Sequence, residues 1–468
     1  MQQLSGLDAG FLYTETPATP MHVGSLVIYD PSTSPTGALD YDQLVDLFAA
    51  RLQYARCFRQ RLVKVPLGLD HPYWIEDPDF DLEFHIRHVA LPKPGDWDQL
   101  MAQTSRLFSR PLDLTRPLWE VTVIDGVNTV DGVPEGSVAV ATKIHHAAID
   151  GMSGAEIFAA IHDLEPTPRE PEEDDWAPET PPPSTELLAR ATINNMIRPW
   201  RFARTVGRSV PLLARAIERT RRHEIEGPVA QAPHTPFNER VSPHKVIDGR
   251  YFELDDIKRI RKQVDGATVN DAVMTIVGGA LRAYLDDKGA LPEDSLISFA
   301  PISVRAEGAT DEAGNKVSGM FTRLHTEIAD PTERLEAVSA SGRDAKSLHQ
   351  TIGATTLTDY TEFGPMRLAG LAARVSSSTG LLGQIGLPVN CVVTNVPGPQ
   401  FPLYMAGAKA IRLYGTAPII DYLGLMHAIF SYDGGLTITF TACRKQLPDP
   451  THYAACIQQS FDALMRAS

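Results

Sequence analysis

Cysteine is scarce in this chain of 468 residues: there are four, and no two form a Cys-x-x-Cys pair. A disulfide-stapled fold and a cysteine-based zinc site are therefore disfavoured, because both need several cysteines at short spacings. No apolar run approaches the ~20 residues that a membrane-spanning helix requires. The first residues, MQQLSGLDAGFLY, contain no basic segment followed by an apolar one, so we predict no secretory signal and a cytoplasmic location.

The chain also lacks a net positive charge and the signature of serine hydrolases. Lysine and arginine number 43 against 58 acidic residues, and the net charge of −15 argues against a nucleic-acid partner. The Gly-x-Ser-x-Gly pattern of serine hydrolases is absent, since GMSGA at 151–155 departs from it at the last position. A covalent serine intermediate is therefore disfavoured.

What the chain does contain is an alternation of strand-like and helix-like patterns in both halves. The patterns predict strands at 22–30, 80–91, 119–127, 136–146, 295–305 and 387–399, a hairpin at 424–443, and helices at 41–55, 150–164, 253–264, 266–289, 332–350 and 450–466. At this length two domains are expected. Mixed elements in each half predict two α/β domains joined by a long crossover.

A composition break separates the halves. Residues 165–186 include seven prolines and are strongly acidic, which predicts an extended linker. Residues 187–223 then carry nine arginines, one acidic residue and apolar residues at helical spacing. That segment fits either a connecting helix held by salt bridges or a contact with an anionic membrane or lipid-droplet surface. The predicted units are 1–164, 165–245 and 246–468.

The stretch KIHHAAIDG (143–151) places two histidines at the end of a predicted strand. A histidine can accept a proton near neutral pH, and Asp150 can reach back across the turn to orient it. Adjacent strand residues point to opposite faces, so one ring should face a site, and a metal shared by His145 and His146 is disfavoured. The alternative interpretation is two core histidines followed by an ordinary Asp-Gly turn. A base without a protein nucleophile would act directly on a substrate hydroxyl or amine.

With this motif in view, the chain resembles the bacterial wax ester synthase/acyl-CoA:diacylglycerol acyltransferase (WS/DGAT) family, whose members carry the HHxxxDG signature of the chloramphenicol-acetyltransferase-like superfamily. The resemblance spans nearly the whole chain. It is carried by LSGLDAGFLYTETPATPMHVGSLVIYD (4–30), RPLWE (116–120), HHAAIDG (145–151), TVNDAVMTIVGGALRAYL (268–285), PISVR (301–305), GNKVSGM (314–320) and NVPGP (395–399).

The resemblance implies two chloramphenicol-acetyltransferase-like (BAHD-like) domains with the active site in a tunnel at their interface. It implies that His146 is the general base, supported by His145. It further implies that Asp150 orients or braces the motif and Gly151 shapes its loop. The remaining implied site residues are Pro117, Leu118 and Trp119, lining or supporting the acyl channel, and Asn270 and Asp271, serving from the second domain. By the residues alone, Trp119 could equally be core and Asn270 or Thr268 a helix cap.

The reaction implied is transfer of a long-chain acyl group from acyl-CoA to the hydroxyl of diacylglycerol or a long-chain alcohol, with no metal and no bound cofactor. Two alternatives stay open: a non-catalytic paralogue that binds acyl lipid or a partner, and an acyltransferase for a sugar or polyketide alcohol. The second half departs from many relatives at Met426-His427 and Phe440-Thr441. These departures lie in the second domain, so they concern acceptor choice and efficiency. The HHxxxDG motif itself is intact.

Overall fold

The computed structural model describes residues 1–149, 154–170, 174, 176–196, 232–303, 317–352 and 387–467. Within them the helices are α1 (Gly6–Thr14), α2 (Tyr41–Ala49), α3 (Leu82–His85), α4 (Trp97–Ser109), α5 (Gly154–Ile161), α6 (184–196), α7 (Leu254–Arg261), α8 (Val269–Asp287), α9 (Pro331–Ile352) and α10 (Pro450–Arg466). The strands are β1 (Gln2–Gln3), β2 (His22–Asp30), β3 (Gln60–Val63), β4 (Tyr73–Glu76), β5 (Ile86–Ala90), β6 (Trp119–Val127), β7 (Ser137–His145), β8 (Lys245–Glu253), β9 (Ile297–Ser303), β10 (Val317–Arg323), β11 (Cys391–Pro397), β12 (Tyr404–Met405), β13 (Ala408–Thr416), β14 (Leu425–Tyr432) and β15 (Gly435–Cys443). No helix among these residues combines the length and the apolar character needed to cross a membrane.

The first half is built on a six-stranded sheet in the order β12-β13-β2-β7-β6-β5. Its central strand, β7, is antiparallel to both β2 and β6. Apolar residues cover both faces, because the strands alternate buried side chains between a large core on one side and a smaller core beneath α4 on the other. A fully paired, doubly covered strand is rigid, so the end of β7 is a well-fixed place for a functional side chain.

The second half is built on another six-stranded sheet, in the order β10-β9-β11-β14-β15-β8. Helices α7, α8 and α10 pack on it around one large apolar core. The β14–β15 hairpin turns at Asp433 and Gly434, both with positive φ, as the tight turn requires. Helix α10 begins at a proline, which suits a first helical position because its missing N–H would have no partner there.

The two halves are physically interlocked. Strand β13 lies in the second half of the sequence, yet it pairs antiparallel with β2 of the first sheet over Gly24–Asp30. At the other junction, Ser105 and Ser109 of α4 accept hydrogen bonds from the backbone N–H groups of Ile247 and Lys245 at 2.9 and 3.0 Å. A cut of the chain at residue 246 therefore separates most of the two cores but not the sheets themselves.

Most predicted elements are present. The strands predicted at 22–30, 119–127 and 136–146 and the final helix are confirmed almost to the residue. The helix predicted at 41–55 ends at Ala49, and the strand predicted at 80–91 begins with a helical turn, α3. Sequence patterns missed the helices α1 and α4 and the strands β1, β3, β4, β8, β10, β12 and β13. The acidic segment predicted to be a linker has no regular structure where it is described, up to the start of α6.

Candidate functional site

The two predicted site histidines stand where β7 ends and a short 3-10 turn, His146–Ile149, begins. The backbone N–H of His145 donates to the carbonyl of Leu118 at 2.9 Å, and that of His146 donates to the carbonyl of Met21 at 2.8 Å. Neighbouring chain segments on both sides therefore hold the backbone of the pair. Asp150 and Gly151 lie outside the described residues, so their roles remain predictions.

His145 is fully buried and both of its ring nitrogens are engaged. Its Nδ1 accepts the backbone N–H of Ala147 at 3.0 Å, which leaves Nε2 carrying the proton of the neutral ring. That Nε2–H donates to Oε2 of Glu15 at 3.2 Å. A histidine with this pair of bonds has no free nitrogen for substrate, and it fits the supporting role that the sequence predicted.

His146 presents the opposite arrangement. Its ring is half-buried and stacks on Phe11, with ring centroids 3.8 Å apart and planes 14° from parallel. Within the part of the chain that the structure describes, its Nδ1 has no hydrogen-bond partner. Burial, with a smaller contribution from His145, lowers the pKa of His146 to about 4. The imidazole is therefore neutral at pH 7, as a proton acceptor must be.

The Pro117–Trp119 segment lies directly beneath these histidines. All three side chains are buried, and the Trp119 ring stacks on His85 with centroids 4.5 Å apart. The indole Nε1–H donates to the carbonyl of Phe58 at 2.9 Å, which satisfies its polar atom inside the core. The carbonyl of Leu118 holds His145, so the contacts support a bracing role. Whether the segment also lines an acyl channel stays a prediction.

The predicted pair from the second half sits in the first turn of α8. Thr268 is the N-cap, and its hydroxyl accepts the N–H of Asp271 while Oδ2 of Asp271 accepts the N–H of Thr268 at 2.8 Å. This reciprocal capping box uses the carboxylate of Asp271 to begin the helix. Asn270 is partly exposed, and no hydrogen bond among the described residues joins it to His146. The cap is Thr268, one of the two candidates.

Sequence reasoning did not single out Glu15 or Phe11. Both belong to the segment at and just beyond α1, and their only signal was the resemblance of residues 4–30 to the family's N-terminus. Glu15 meets His145 from 130 positions away in the chain. A single acidic residue in the sequence LYTETPATP has no local pattern that would mark it as a partner.

A neutral histidine at the end of a central strand, in a molecule of two mixed six-stranded sheets with an exchanged strand, is the arrangement of the chloramphenicol-acetyltransferase-like acyltransferases. Structural comparison agrees. A condensation domain of the calcium-dependent antibiotic synthetase shares the fold, with a TM-score of 0.56 at 14% identity over 99% of this chain and 95% of that one. At that identity the likeness concerns the fold alone.

Comparison with family models identifies the chain more specifically than its fold does. A family model described as the wax ester synthase/diacylglycerol acyltransferase catalytic domain matches residues 4–273, and one described as the WS/DGAT C-terminal domain matches residues 313–465. The chain belongs to the WS/DGAT family of acyltransferases. Membership favours an enzyme over a non-catalytic lipid-binding paralogue.

Individual relatives cover the chain almost end to end. A protein of Mycobacterium tuberculosis (strain ATCC 25618 / H37Rv) with a provisional name as a diacylglycerol O-acyltransferase is 33% identical over all of this chain and 91% of its own length. The structure of a wax ester synthase/diacylglycerol acyltransferase from Marinobacter aquaeolei VT8 is 28% identical, covers 99% of this chain and 98% of that one, and superposes with a TM-score of 0.69.

Proposed function

We propose that this enzyme moves a long-chain acyl group from acyl-CoA to the hydroxyl of diacylglycerol, of a long-chain alcohol, or of both, with His146 as the general base. The observation that carries the proposal is the difference between the two histidines. His145 has both nitrogens occupied, whereas His146 is neutral, half-buried and unpartnered at Nδ1 among the described residues.

In the proposed reaction both substrates are bound together. His146 takes the proton of the acceptor hydroxyl as its oxygen attacks the thioester carbonyl, and a tetrahedral oxyanion forms. The carbon–sulfur bond then breaks, the oxygen ester is released, and the CoA thiolate takes the proton back from His146. Atoms and charge balance without a metal or a bound cofactor.

Three further residues take supporting parts in this proposal. Glu15 fixes the Nε2–H tautomer of His145, and that ring in turn holds the turn on which His146 sits, through the N–H of Ala147. Asp150 orients the motif. Asn270 is our candidate donor to the oxyanion, a position at which one hydrogen bond is worth about 3–4 kcal/mol of barrier.

The test is acyl transfer from radiolabelled palmitoyl-CoA, with diacylglycerol, hexadecanol and no acceptor offered in parallel. We expect an ester product with wild type and a loss of roughly 10²–10⁴-fold in kcat for His146→Ala, the range for a removed general base. Folded wild type that transfers to neither lipid would contradict the proposed acceptors and favour a sugar or polyketide alcohol. An unchanged rate in His146→Ala would contradict the base.

We also propose that the enzyme meets its lipid substrates at a membrane or lipid-droplet surface. Support comes from an apolar patch where α6 packs against the small β1-β4-β3 sheet. Four side chains there are markedly exposed: Leu67 (89%), Leu69 (48%), Ile193 (58%) and Met196 (72%). A hydrogen bond of 2.8 Å from Asn195 Nδ2 to the carbonyl of Leu69 joins the two sides of the patch.

Two features of the patch favour a lipid surface. On the opposite side of α6, Leu187 and Ala191 are buried against Val65 and Tyr73, so the helix is anchored and its exposed apolar side chains are not a fraying end. Eight of the nine arginines of 187–223 follow α6 directly in sequence and would favour anionic headgroups. Residues 197–223 lie outside the described part of the chain.

Sedimentation with vesicles containing anionic phospholipid tests this contact. Changing Ile193 and Met196 to serine should weaken binding by roughly tenfold or more, because each loses up to about 1.5–3 kcal/mol of apolar burial in the membrane interface and about 1.4 kcal/mol is a tenfold change. A matched control is Ile420→Ser, an exposed apolar residue in the second half. Equal binding by wild type and the α6 variant would contradict the surface assignment.

A further inference from the structure

The C-terminal end of α8 and the first turns of α10 bring three metal-ligating side chains together. They belong to Asp287, the last residue of α8, and to His452 and Cys456 of α10. One ligand atom from each (a carboxylate oxygen, an imidazole nitrogen and the thiol sulfur) lies within 4.8 Å of the other two. Among the described residues, this is the one group of three or more His, Cys, Asp or Glu side chains that could share an ion.

The spacing of these atoms is close to that of a tetrahedral zinc site. Nε2 of His452 lies 3.1 Å from Oδ2 of Asp287 and 4.0 Å from Sγ of Cys456. Zinc bonds of about 2.0–2.1 Å to nitrogen or oxygen and about 2.3 Å to sulfur hold such ligand atoms roughly 3.3–3.6 Å apart. His452 and Cys456 are four residues apart on α10, so they share one face of the helix. An ion among the three atoms therefore requires side-chain adjustments of only about 1 Å.

The burial of the three side chains differs in a way that suits a bound ion. Cys456 is fully buried, whereas the side chains of His452 and Asp287 are 39% and 59% exposed. The sulfur thus lies on the protein side of the cluster, and the opposite side is open to solvent, where a water molecule can complete four ligands. A plain hydrogen bond between His452 and Asp287 would account for two of the residues but would not use the sulfur beside them.

The charge around the sulfur favours a cation. The carboxylates of Asp287 and Asp449 both act electrostatically on Cys456, and Lys288 offsets them only in part because it is paired with Asp449. A thiolate and one carboxylate together neutralise a divalent ion. A buried thiol keeps its proton when no cation is near, so binding of the ion releases that proton to solvent.

The mixed ligand set also selects among metals. Thiolate and imidazole ligands suit Zn²⁺, whereas Mg²⁺ and Ca²⁺ need shells of oxygen atoms. A set of one aspartate, one histidine and one cysteine differs from the multi-cysteine zinc sites that the cysteine spacing disfavours. Its ligands come from two helices that are far apart in the chain, so no short motif marks it in the sequence.

We propose that Asp287, His452 and Cys456 bind one Zn²⁺ ion, which joins the end of α8 to the start of α10. Nε2 of His452 binds the ion, so the proton of the neutral ring moves to Nδ1. Asn270 lies in the first turn of α8, 17 residues before Asp287, which is about 25 Å along the helix. The ion therefore stabilises the packing of the two helices, and the proposed acyl transfer proceeds without it.

Co²⁺ is a suitable probe of this site, because its absorption reports both a thiolate bond and a tetrahedral geometry. Full-length protein without a histidine tag is treated with EDTA, desalted, and titrated first with Co²⁺ and then with Zn²⁺. About one equivalent of Co²⁺ should produce a sulfur-to-cobalt charge-transfer band, and about one equivalent of Zn²⁺ should remove it, since Zn²⁺ binds more tightly. With free Zn²⁺ at about 100 times its Kd, the unfolding temperature should rise by about 3 °C.

Three variants test the ligands one at a time. Cys456→Ser should abolish the charge-transfer band. His452→Gln and Asp287→Asn should each weaken Co²⁺ binding by at least about tenfold, since even outer-shell partners of a metal are worth that much. Asp287→Asn keeps the size of an exposed side chain, so its fold should be unchanged. The matched control is His234→Gln, which removes another exposed histidine 3.1 Å from a carboxylate but belongs to no such cluster among the described residues.

The outcomes bear on the site alone, because the titration uses no lipid substrate. Folded wild type without a charge-transfer band would overturn the proposal, and so would an unchanged band in Cys456→Ser. Equal losses of Co²⁺ affinity in His234→Gln and His452→Gln would do the same. In the palmitoyl-CoA assay, EDTA-treated wild type and Asp287→Asn should keep the kcat of the zinc-loaded enzyme. A loss of kcat that Zn²⁺ restores would contradict the purely structural role of the ion.

Discussion

Burial lowers the pKa of His162 to about 4, and it does the same to a pair from opposite halves of the molecule: His146 in the first half and His427 in the second. Their surroundings differ. His427 lies within strand β14, is completely buried, and its Nε2 is 2.8 Å from the hydroxyl of Tyr453. His146 begins the turn after β7 and is half-buried, and its Nδ1 has no partner among the described residues, which is equally true of Nδ1 in His427. A shifted pKa and an unpartnered nitrogen thus both record burial, and the position of the ring at the end of a strand distinguishes the proposed base from a packed histidine.

His427 also belongs to one of the departures from the family pattern, the pair Met426-His427. Met426-His427 lies within a central strand of the second sheet, paired with both β11 and β15. The His427 side chain belongs to the core on which α10 packs, through its contact with Tyr453. The departure therefore changes core packing in the second half.

The largest expected effect comes from replacing each histidine in turn and measuring both activity and stability. His146→Ala should reduce transfer by roughly 10²–10⁴-fold with a small change in unfolding temperature. His427→Gln should keep kcat per folded molecule within about twofold and lower stability by about 1–3 kcal/mol, since a packed, hydrogen-bonded ring is replaced. Urea unfolding and the radiolabel assay on the same samples measure both. Loss of kcat in folded His427→Gln would break the distinction.

His146 and His427 should contribute alike to the pH dependence of stability, beside other buried histidines with a lowered pKa such as His162. Each has a folded pKa of about 4 against about 6.5 unfolded, so the unfolded chain binds more protons in between. Stability should therefore be fully present above about pH 6.5 and fall as the pH drops towards 4. The free energy of unfolding of His427→Gln should fall less steeply over that window than that of wild type. Parallel curves would show that His427 does not stay neutral in the fold.

A smaller effect should follow from the partner of His145. In Glu15→Gln the amide can still accept from Nε2–H but carries no charge, whereas Glu15→Ala removes the acceptor. We expect kcat to fall about threefold in the first variant, where only the charge is lost, and about tenfold in the second, the size of one hydrogen bond lost from a positioning residue. The pH profile of kcat provides the check, because a merely structural loss would leave its shape unchanged. Equal activity of Glu15→Ala and wild type would contradict the positioning role.

The periodicity of the sequence predicted the elements that are formed by contiguous segments. The β6–β7 pair, the histidines at its end and α10 are contiguous segments whose alternation or helical spacing is visible in the sequence. Strand β13 was missed because it pairs with β2, nearly 400 positions earlier, and nothing in AKAIRLYGT states which sheet it joins. Its pairing with β2 depends on the tertiary fold, which the periodicity of the sequence does not encode.

The site shows the same limit. The sequence placed His146 and Asp150 together because they are four residues apart, but it could not supply Glu15 or Phe11. Those side chains reach the two histidines only when α1 docks at the end of β7. For Trp119 both suggestions, core and support, are compatible with the structure, since the ring fills the core and the adjoining carbonyl holds His145.

The smallest expected effect separates the two neighbours at the start of α8. Thr268→Ala removes the N-cap hydroxyl and should lower stability by about 1 kcal/mol, with kcat unchanged. Asn270→Ala leaves the capping box of Thr268 and Asp271 intact and should change stability by less than ~0.5 kcal/mol. If Asn270 is the oxyanion donor, its variant loses kcat without losing stability, the reverse of Thr268→Ala. Should both variants retain kcat, α8 contributes only packing and the oxyanion donor lies elsewhere in the site.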